Sequence, residues 1–392
     1  MTRFIQTMVA LATVVSFGYC FTASAGAYDG SRQAFIDHVK IYAPNAPIPS
    51  ELKVKEMNGA AIRYGVWHTQ QPRQGLVVFL SGRTEFIEKN IPAYTELLTR
   101  GFDVYTFDWR GQGLSERVLS HSELGHIDDF ETFIADLHVF VQDIVKPETH
   151  PGLTLLLGHS MGGHLGLRYM NQYPHVFDRA QFSSPMMGVS ANSWASRQFA
   201  GFLNWAGWGR SCAPGTEPVW QSYLDENACE GILKGTVSLP EKPNQALLYS
   251  NNLNHLAQAS CWVEQSLANN PRHHLGLGCP TVGWVKEAFN SMADTMGNLD
   301  KVKAPVIIVG ASSDKVVTFD AQQQVCDELA NCCLWQIQDK PEKPAAHEVL
   351  IELDDYAQQF WIAFEALTHG SDAGCACAEI RDHYQHLQCS AL

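Results

Sequence analysis

The chain contains 392 residues, of which 45% are hydrophobic and 17% are charged, and its formal net charge is −14. This length suffices for one α/β domain with an insertion. The acidic balance and the lack of any basic run in the sequence argue against a nucleic-acid partner. They also weaken non-specific attraction to anionic lipid surfaces.

The first 27 residues have the pattern of a secretory signal peptide. Arg3 supplies a positive start, residues 8–18 form an apolar run too short to span a membrane, and residues 23–25 and 25–27 each fit a small-x-small cleavage site. We expect this segment to be cleaved and the mature protein to be periplasmic or secreted. No later segment of the sequence is long and apolar enough to predict a transmembrane helix.

The cysteines after this segment indicate disulfides. There are ten, at positions 212, 229, 261, 279, 326, 332, 333, 375, 377 and 389. An even number in an exported chain is typical of a disulfide framework. Local pairing predicts three bonds: Cys212–Cys229, Cys261–Cys279, and Cys326 with either Cys332 or Cys333.

The C-terminal end offers an alternative to disulfides. Its residue types and spacing would suit zinc, with the ligands drawn from Cys375, Cys377, His383, His386 and Cys389. An oxidising compartment favours disulfides. We therefore predict disulfides here and no metal site.

The mature chain begins with a hairpin and continues as an alternation of strands and helices. Two strand-like runs, Leu52–Met57 and Ala61–His68, are joined at Asn58-Gly59. From residue 75 to residue 184, strand and helix patterns alternate, which predicts a mostly parallel twisted sheet with helices on both faces. The glycine-rich segment 108–113 has no helix directly behind it, so we assign it a structural role and not phosphate binding.

A nucleophile motif follows one of these strands. The apolar run 153–157 ends in Gly158-His-Ser-Met-Gly162, and a helix pattern follows at residues 163–173. Small residues on both sides of the serine permit a sharp turn that exposes the Ser160 hydroxyl. The sequence therefore predicts a serine hydrolase with Ser160 as the nucleophile and the Met161 N–H as one oxyanion donor.

An acidic partner is expected after a later strand. Asp314 lies just beyond the apolar run 306–310. Its rival Asp320 follows Thr318, a candidate helix cap, and is better explained as a first-turn carboxylate that complements the helix dipole. We predict that Asp314 is the acid of the triad.

The histidine is identified by its order and its surroundings. The chain has 16 histidines, so composition alone does not identify one of them. His347 follows the short apolar run 334–337 by about ten residues and precedes an apolar helix pattern at 356–367. The predicted triad is Ser160, Asp314 and His347, with His347 as the base in an acyl-enzyme mechanism that needs no metal and no organic cofactor.

The loop after the first long strand predicts a second oxyanion donor. It reads Ser81-Gly-Arg-Thr-Glu85 and follows the run 76–80. Gly82 permits close approach of the backbone, which makes the Arg83 N–H the expected partner of the Met161 N–H. The Arg83 side chain has two alternatives, a substrate phosphate or an ion pair with Glu85.

The alternation stops between residues 188 and 300, where aromatic, Cys- and Asn-rich sequence predicts a cap (lid) domain inserted between two core strands. Four aromatic residues there recur every three positions in a helix-like segment: Phe199, Phe202, Trp205 and Trp208. This aromatic stripe either packs onto the core domain or lines an acyl-chain tunnel that leads to Ser160. In the second case Phe202 and Trp205 bind substrate.

These patterns divide the chain into five parts. They are the signal peptide at 1–27, the first part of the core at 28–187, the cap at 188–300, the second part of the core at 301–368, and a Cys-rich tail at 369–392.

Several motifs, taken together, carry a family resemblance. They are Ser81–Glu85, Asp108–Ser115, Gly158–Gly163, Ser184–Gly188, Asn270–Trp284 and Ala346–Leu350. In these motifs the chain resembles the bacterial lysophospholipase branch of the α/β-hydrolases (serine aminopeptidase S33-type), close kin of the monoacylglycerol lipases. The resemblance extends from Glu51 to Leu367. Two departures are Ser81, where many relatives have His or Pro, and the high cysteine content.

The resemblance implies the α/β-hydrolase fold and the same site residues: Ser160, Asp314 and His347 as the triad, with Met161 and Arg83 as oxyanion donors. It also implies a carboxylic-ester substrate with one long acyl chain. The leading substrate is a lysophospholipid, and the alternative is a monoacylglycerol or another long-chain monoester. We expect transient contact with a membrane surface and no obligate protein partner. A peptidase of the same fold and a catalytically silent binding protein are the remaining hypotheses.

Overall fold

The computed structural model describes residues 28–189, 194–220, 229, 249–370 and 372–390. The predicted signal peptide lies outside this range. The described strands form one sheet in the order β1-β2-β4-β3-β5-β6-β7-β8. Their bounds are β1 (Glu51–Met57), β2 (Ala60–Trp67), β3 (Gly75–Leu80), β4 (Phe102–Phe107), β5 (Leu153–His159), β6 (Arg179–Ser183), β7 (Val306–Gly310) and β8 (Cys332–Gln336).

The first two strands form the predicted hairpin. β1 pairs antiparallel with β2, and β2 pairs antiparallel with β4. The connecting residues Asn58 and Gly59 have φ values of 48° and 75°. Two successive positive φ values suit the type I′ turn that an Asn-Gly pair favours. The other neighbouring strands pair in parallel, which confirms the mostly parallel sheet.

Helices cover both faces of this sheet. They are α1 (Arg32–Tyr42), α2 (Ile91–Thr99), α3 (Glu131–Phe140), α4 (Met161–Gln172), α5 (Trp194–Leu203), α6 (Leu253–Asn269), α7 (Val282–Met296), α8 (Phe319–Glu328), α9 (Asp354–His369) and α10 (Ala373–Ser390). Side-chain oxygens of Ser31, Asn252 and Thr281 cap the starts of α1, α6 and α7, as these residue types favour. Among the described helices, none is long and apolar enough to cross a membrane.

The sheet separates two apolar cores. Every residue of β3 is buried. Val77 and Phe79 pack into one cluster, whereas Leu76, Val78 and Leu80 pack into the other. Successive side chains of a strand point to opposite faces, so burial of both sets requires helices on both sides of the sheet. This explains the continuous apolar runs in the sequence.

The predicted cap region lies between β6 and β7. In its described part the chain forms α5, one π-helical turn at Asn204–Trp208, α6 and α7. The predicted pairs Cys212–Cys229 and Cys261–Cys279 are wrong. The same four cysteines form the bonds Cys212–Cys279 and Cys229–Cys261. Folding of the cap brings the segment at Cys212 against Thr281 through an isolated β-bridge. Pairing by proximity along the chain could not anticipate this contact.

The C-terminal region is tied to the sheet. Cys326 pairs with Cys332, which confirms one of the two predicted alternatives, and Cys333 pairs with Cys377. The tail forms α10, which buries Ala373, Ala376 and Ile380 in one of the two apolar cores.

The Cys333–Cys377 bond bears on the alternative zinc site. It removes the Cys377 thiolate from the candidate ligand set. The side chains of His383, His386 and Cys389 lie outside the described part of the chain.

Candidate active site

A strained turn places Ser160 directly between β5 and α4. Its φ and ψ are 51° and −116°, a combination that non-glycine residues rarely adopt and that marks functional turns. A Cβ atom on Gly162 would lie 2.2 Å from the Leu80 carbonyl oxygen, and one on Gly158 would lie 2.8 Å from the Gly162 backbone. The turn therefore requires glycine at both positions, as the motif predicts.

Backbone hydrogen bonds hold this turn in place. The Ser160 N–H donates to the Ser183 carbonyl at 2.9 Å, and the Ser160 carbonyl accepts from Met186 N–H at 2.9 Å and His164 N–H at 3.0 Å. Neighbouring strand β6 and the segment after it thus support the serine from one side. The strain of the turn is maintained by these contacts.

Asp314 and His347 meet at the same edge of the sheet. His347 Nδ1 lies 2.7 Å from Asp314 Oδ2, and both side chains are buried. Asp314 Oδ1 accepts hydrogen bonds from the Val316 and Val317 N–H groups at 2.7 and 3.1 Å. Burial raises the Asp314 pKa, but the His347 charge and these hydrogen bonds outweigh burial and lower it. Asp320 is exposed in the first turn of α8, as the sequence indicates.

The His347 ring lies beside the nucleophile turn. Its centroid is 4.8 Å from that of His159, the residue before Ser160. The Ser160 hydroxyl and His347 do not form a hydrogen bond in the described structure, and such bonds are often long in unliganded sites. Burial lowers the pKa of His159 to about 3. His159 is therefore neutral at ordinary pH and does not repel a protonated His347.

The Ser81–Glu85 loop approaches the turn closely. A Cβ on Gly82 would lie 3.1 Å from His159 Cδ2 and 3.3 Å from Ser160 Cβ, which explains the glycine. The Gly82 N–H donates to Glu85 Oε2 at 2.6 Å. Within the described residues, the N–H groups of Met161 and Arg83 have no such acceptor. Both amides are thus available for an oxyanion.

The glycine-rich segment 108–113 supports this loop. Trp109 Nε1 donates to the Ser81 carbonyl at 2.8 Å, and Gln112 Nε2 donates to the Gly82 carbonyl at 3.1 Å. Gln112 Oε1 accepts from the Thr84 N–H at 3.1 Å. The segment has the structural role that its sequence indicates, and the structure specifies that role as support of the candidate oxyanion loop.

A buried cation that the sequence analysis missed links two parts of the site. Lys89 Nζ donates to Glu85 Oε1 at 2.8 Å and also to the carboxylate of Glu348. Glu85 holds the Gly82 N–H, and Glu348 is the residue after His347. The alternative pairing of Glu85 with Arg83 is therefore wrong. The i, i+4 spacing of Glu85 and Lys89 was a visible signal, whereas the contact with Glu348, 259 positions away, was not.

Burial and charge set the pKa values in this cluster. Burial raises the Glu85 pKa, but the Lys89 charge and hydrogen bonds from Lys89 and Gly82 lower it to about 2. Burial raises the Glu348 pKa despite the Lys89 charge. The two carboxylates outweigh burial and raise the Lys89 pKa. Glu85 thus stays ionised and keeps its hold on the Gly82 N–H.

The aromatic stripe lies on the surface. Phe199, Phe202, Trp205 and Trp208 are 53%, 57%, 82% and 60% exposed. The two expected arrangements, packing onto the core and an enclosed acyl tunnel, both require buried side chains. The structure therefore corrects the predicted placement of Phe202 and Trp205. Periodicity identified a shared helical face but could not show which way that face is directed.

A cavity of about 370 Å³ adjoins the Ser81–Glu85 loop. Its walls combine loop and core residues with residues of the cap region, among them Arg83, Phe86, Trp220, Leu277 and Glu348. This volume lies in the usual range for small-molecule sites.

Comparison with known proteins places this geometry in a family. The sequence profile described as "Serine aminopeptidase, S33" matches residues 71–354. Lysophospholipase L2 of Escherichia coli (strain K12) is 28% identical over 289 residues, which cover 72% of this chain and 77% of that protein. Monoacylglycerol lipase of Mycolicibacterium smegmatis is 30% identical over 143 residues, which cover 36% and 48% respectively.

Solved structures agree with the fold. A soluble variant of the Saccharomyces cerevisiae monoglyceride lipase superposes with a TM-score of 0.58 at 17% identity, covering 84% of this chain and 96% of that one. A carboxyl esterase of Bacillus coagulans superposes with a TM-score of 0.58 at 15% identity, covering 82% and 98%. Together with the sheet order, these superpositions confirm the α/β-hydrolase fold.

The buried Lys89 cluster generates a prediction. Lys89→Met should lower the free energy of unfolding by about 3–5 kcal/mol, because it leaves two buried carboxylates without their cation. It should also lower kcat more than it raises KM, since Glu85 would no longer be held against the Gly82 N–H. Urea unfolding and steady-state ester hydrolysis measure the two effects.

Lys40→Met is the matched control. Lys40 pairs with Asp37 at 3.8 Å on the surface, and loss of an exposed pair should cost less than about 1 kcal/mol. Equal stability and equal kcat in Lys89→Met and wild type would contradict the assigned role of the cluster.

Proposed function

The chain belongs to the serine aminopeptidase, S33 family of hydrolases, and on this premise we propose that it is a serine esterase that hydrolyses lysophospholipids. One observation carries the proposal. A formed Asp314–His347 pair lies beside the strained turn of Ser160, and the N–H groups of Met161 and Arg83 are available near it. This is the arrangement that acyl transfer by a serine hydroxyl requires.

The mechanism follows from the roles of these groups. His347 accepts the Ser160 proton through Nε2, since Nδ1 is held by Asp314. The Ser160 oxygen attacks the ester carbonyl, and the Met161 and Arg83 N–H groups stabilise the oxyanion. His347 then protonates the leaving alcohol, and water hydrolyses the acyl-enzyme by the same route. As proposed, these steps need no metal or organic cofactor.

The relatives support a lipid monoester as the substrate. The similarity to Escherichia coli lysophospholipase L2 extends over 77% of that protein, whereas the similarity to the mycobacterial monoacylglycerol lipase covers 48% of it. A lysophospholipid is therefore the first candidate and a monoacylglycerol the second. The family description also names aminopeptidases, so an aminoacyl-arylamide serves as a negative control in every assay.

The exposed aromatic stripe suits contact with the aggregate in which such substrates reside. Phe and Trp side chains with large exposed surfaces mark sites of lipid or protein contact, and Trp partitions favourably to membrane interfaces. We propose that Phe202 and Trp205 act at this transient surface contact and do not line a tunnel.

We also propose that the protein is exported. The four disulfides among the described residues are typical of an oxidising compartment, and they agree with the signal-peptide pattern of residues 1–27. The compartment is periplasmic or extracellular.

Substitution of the triad tests the chemistry. Ser160→Ala and His347→Ala should each lower kcat on a lysophospholipid by about 10⁴- to 10⁶-fold, because the two residues act as a unit. Asp314→Asn should lower it by about 10⁴-fold, and Asp320→Asn, the matched control, by less than about twofold. If Asp320→Asn lowered kcat strongly and Asp314→Asn lowered it only slightly, the assignment of Asp314 as the acid would be wrong. Unimpaired labelling of Ser160→Ala by a fluorophosphonate would reject the nucleophile.

Vesicle binding tests the aromatic stripe. Trp205→Ser should weaken co-sedimentation with phosphatidylcholine vesicles by about tenfold, since burial of a large apolar side chain contributes about 1.5–3 kcal/mol. Its activity should fall more on micellar lysophospholipid than on a monomeric butyrate ester. The control is Val54→Ser, because Val54 is 61% exposed on β1. Equal vesicle binding by Trp205→Ser and Val54→Ser would show that the aromatic stripe does not contact the lipid surface.

Peptide mapping of protein from the exported fraction tests compartment and disulfides together. We expect a chain that begins after residue 25 or 27, with linked peptides for Cys212–Cys279, Cys229–Cys261, Cys326–Cys332 and Cys333–Cys377. Loss of the Cys333–Cys377 bond in a double serine variant should cost about 2–4 kcal/mol of stability. A chain found only in the cytoplasm, with its N-terminus intact and its thiols reduced, would contradict export.

A further inference from the structure

One half-buried cation beside the candidate site lacks a carboxylate partner among the described residues. Arg83 is half-buried, and among the described residues no Asp or Glu forms an ion pair with it. Its Nη2 donates to the Gly278 carbonyl at 2.7 Å, and its guanidinium lies 5.4 Å from the Trp284 ring centroid. Its Nε–H is buried without an acceptor. The guanidinium is held in position, and its Nη1 group, which is not among the buried polar atoms, forms no hydrogen bond with the described residues.

This arrangement differs from that of two buried cations near the site, Arg63 and Lys89. Arg63 pairs with Glu88 and Asp108, and Lys89 pairs with two carboxylates. Burial lowers the Arg83 pKa to about 10, so the side chain is still charged at neutral pH. A desolvated cation without a counter-ion attracts an anion more strongly than a paired one does.

Arg83 also lines the cavity beside the oxyanion loop. The cap side of this cavity contributes Thr216, Trp220 and Tyr249. The Arg83 N–H is the proposed oxyanion donor, so its side chain starts where the ester carbonyl would be held. An arginine side chain is about as long as the glycerol bridge between the ester carbonyl and the phosphate of a lysophospholipid.

We propose that this cavity is the headgroup subsite and that the Arg83 guanidinium binds the phosphodiester of the substrate, an inference that rests on the function proposed above. Guanidinium and phosphate form charge-assisted, often bidentate hydrogen bonds. A monoacylglycerol has no anion at that position. Arg83 is therefore the residue that selects a lysophospholipid over a neutral monoester of the same acyl chain.

The test compares two substrates with one acyl chain, palmitoyl lysophosphatidylcholine and monopalmitoylglycerol. In Arg83→Met, the ratio of kcat/KM on the first to that on the second should fall by about 10- to 100-fold. Arg83→Lys, which keeps the charge but not the fork, should give an intermediate ratio. Any loss shared by both substrates measures an effect on the loop and cancels in the ratio.

Binding of the headgroup alone provides a second readout. Glycerophosphocholine should inhibit hydrolysis of a neutral ester competitively in the wild type, with an inhibition constant about tenfold higher in Arg83→Met. Arg117→Met is the matched control. Arg117 is another arginine with a buried Nε–H lacking an acceptor, and it donates to the Gly111 and Gly113 carbonyls at 2.6 and 2.9 Å. It does not line this cavity, so its substitution should leave the substrate ratio unchanged.

The outcomes separate this inference from the proposed function. Equal losses on both substrates in Arg83→Met, with unchanged inhibition by glycerophosphocholine, would overturn the headgroup subsite while the esterase stands. A wild-type protein that hydrolyses neither substrate and takes no fluorophosphonate label would overturn the proposed function itself. If Arg83→Met does not fold, two other measurements test the headgroup subsite. They are the ratio of kcat/KM on the two substrates in Arg83→Lys and the inhibition of the wild type by glycerophosphocholine.

Discussion

The arrangement of the site depends on one constraint, the strained backbone of Ser160 between β5 and α4. Positive φ at a serine is unfavourable, and it persists here because Gly158 and Gly162 allow backbone contact that a Cβ would block. The turn directs the helix amides and the serine hydroxyl toward the carboxyl edge of the sheet. Every other candidate group reaches the site from a loop at that same edge, where ligands of open α/β sheets bind.

Buried charge organises the loops around this turn. Lys89 connects the carboxylate that holds Gly82 with the carboxylate next to His347. In a low-dielectric interior a cation between two carboxylates fixes their separation, because any displacement leaves a charge unpaired. The candidate oxyanion loop and the segment that carries the candidate base are thus linked by one lysine side chain. Arg83 differs from Lys89 because no carboxylate pairs with it among the described residues, and it differs from Arg117 because it lines the cavity beside the oxyanion loop.

Disulfide bonds connect the cap region and the tail, which lie outside the central sheet. Cys212–Cys279 joins two distant parts of the cap region, and Cys333–Cys377 ties α10 to β8. Loops closed by disulfides lose conformational freedom in the unfolded chain. The aromatic face on α5 and the following turn is exposed in this cross-linked region. Under the function proposed above, this face contacts the lipid aggregate that holds the substrate.

Local sequence determined the sheet, the hairpin at Asn58-Gly59 and the order Ser160, Asp314, His347, because strand periodicity, turn chemistry and the nucleophile turn are each encoded within a few residues. Tertiary structure alone decided the partner of Glu85, the disulfide partners of Cys212 and Cys261, and the outward direction of Trp205. Each of these depends on which distant segment packs against a residue. Hydrophobic periodicity shows that a helix or strand has an apolar face, but only the tertiary structure decides which segment packs against that face.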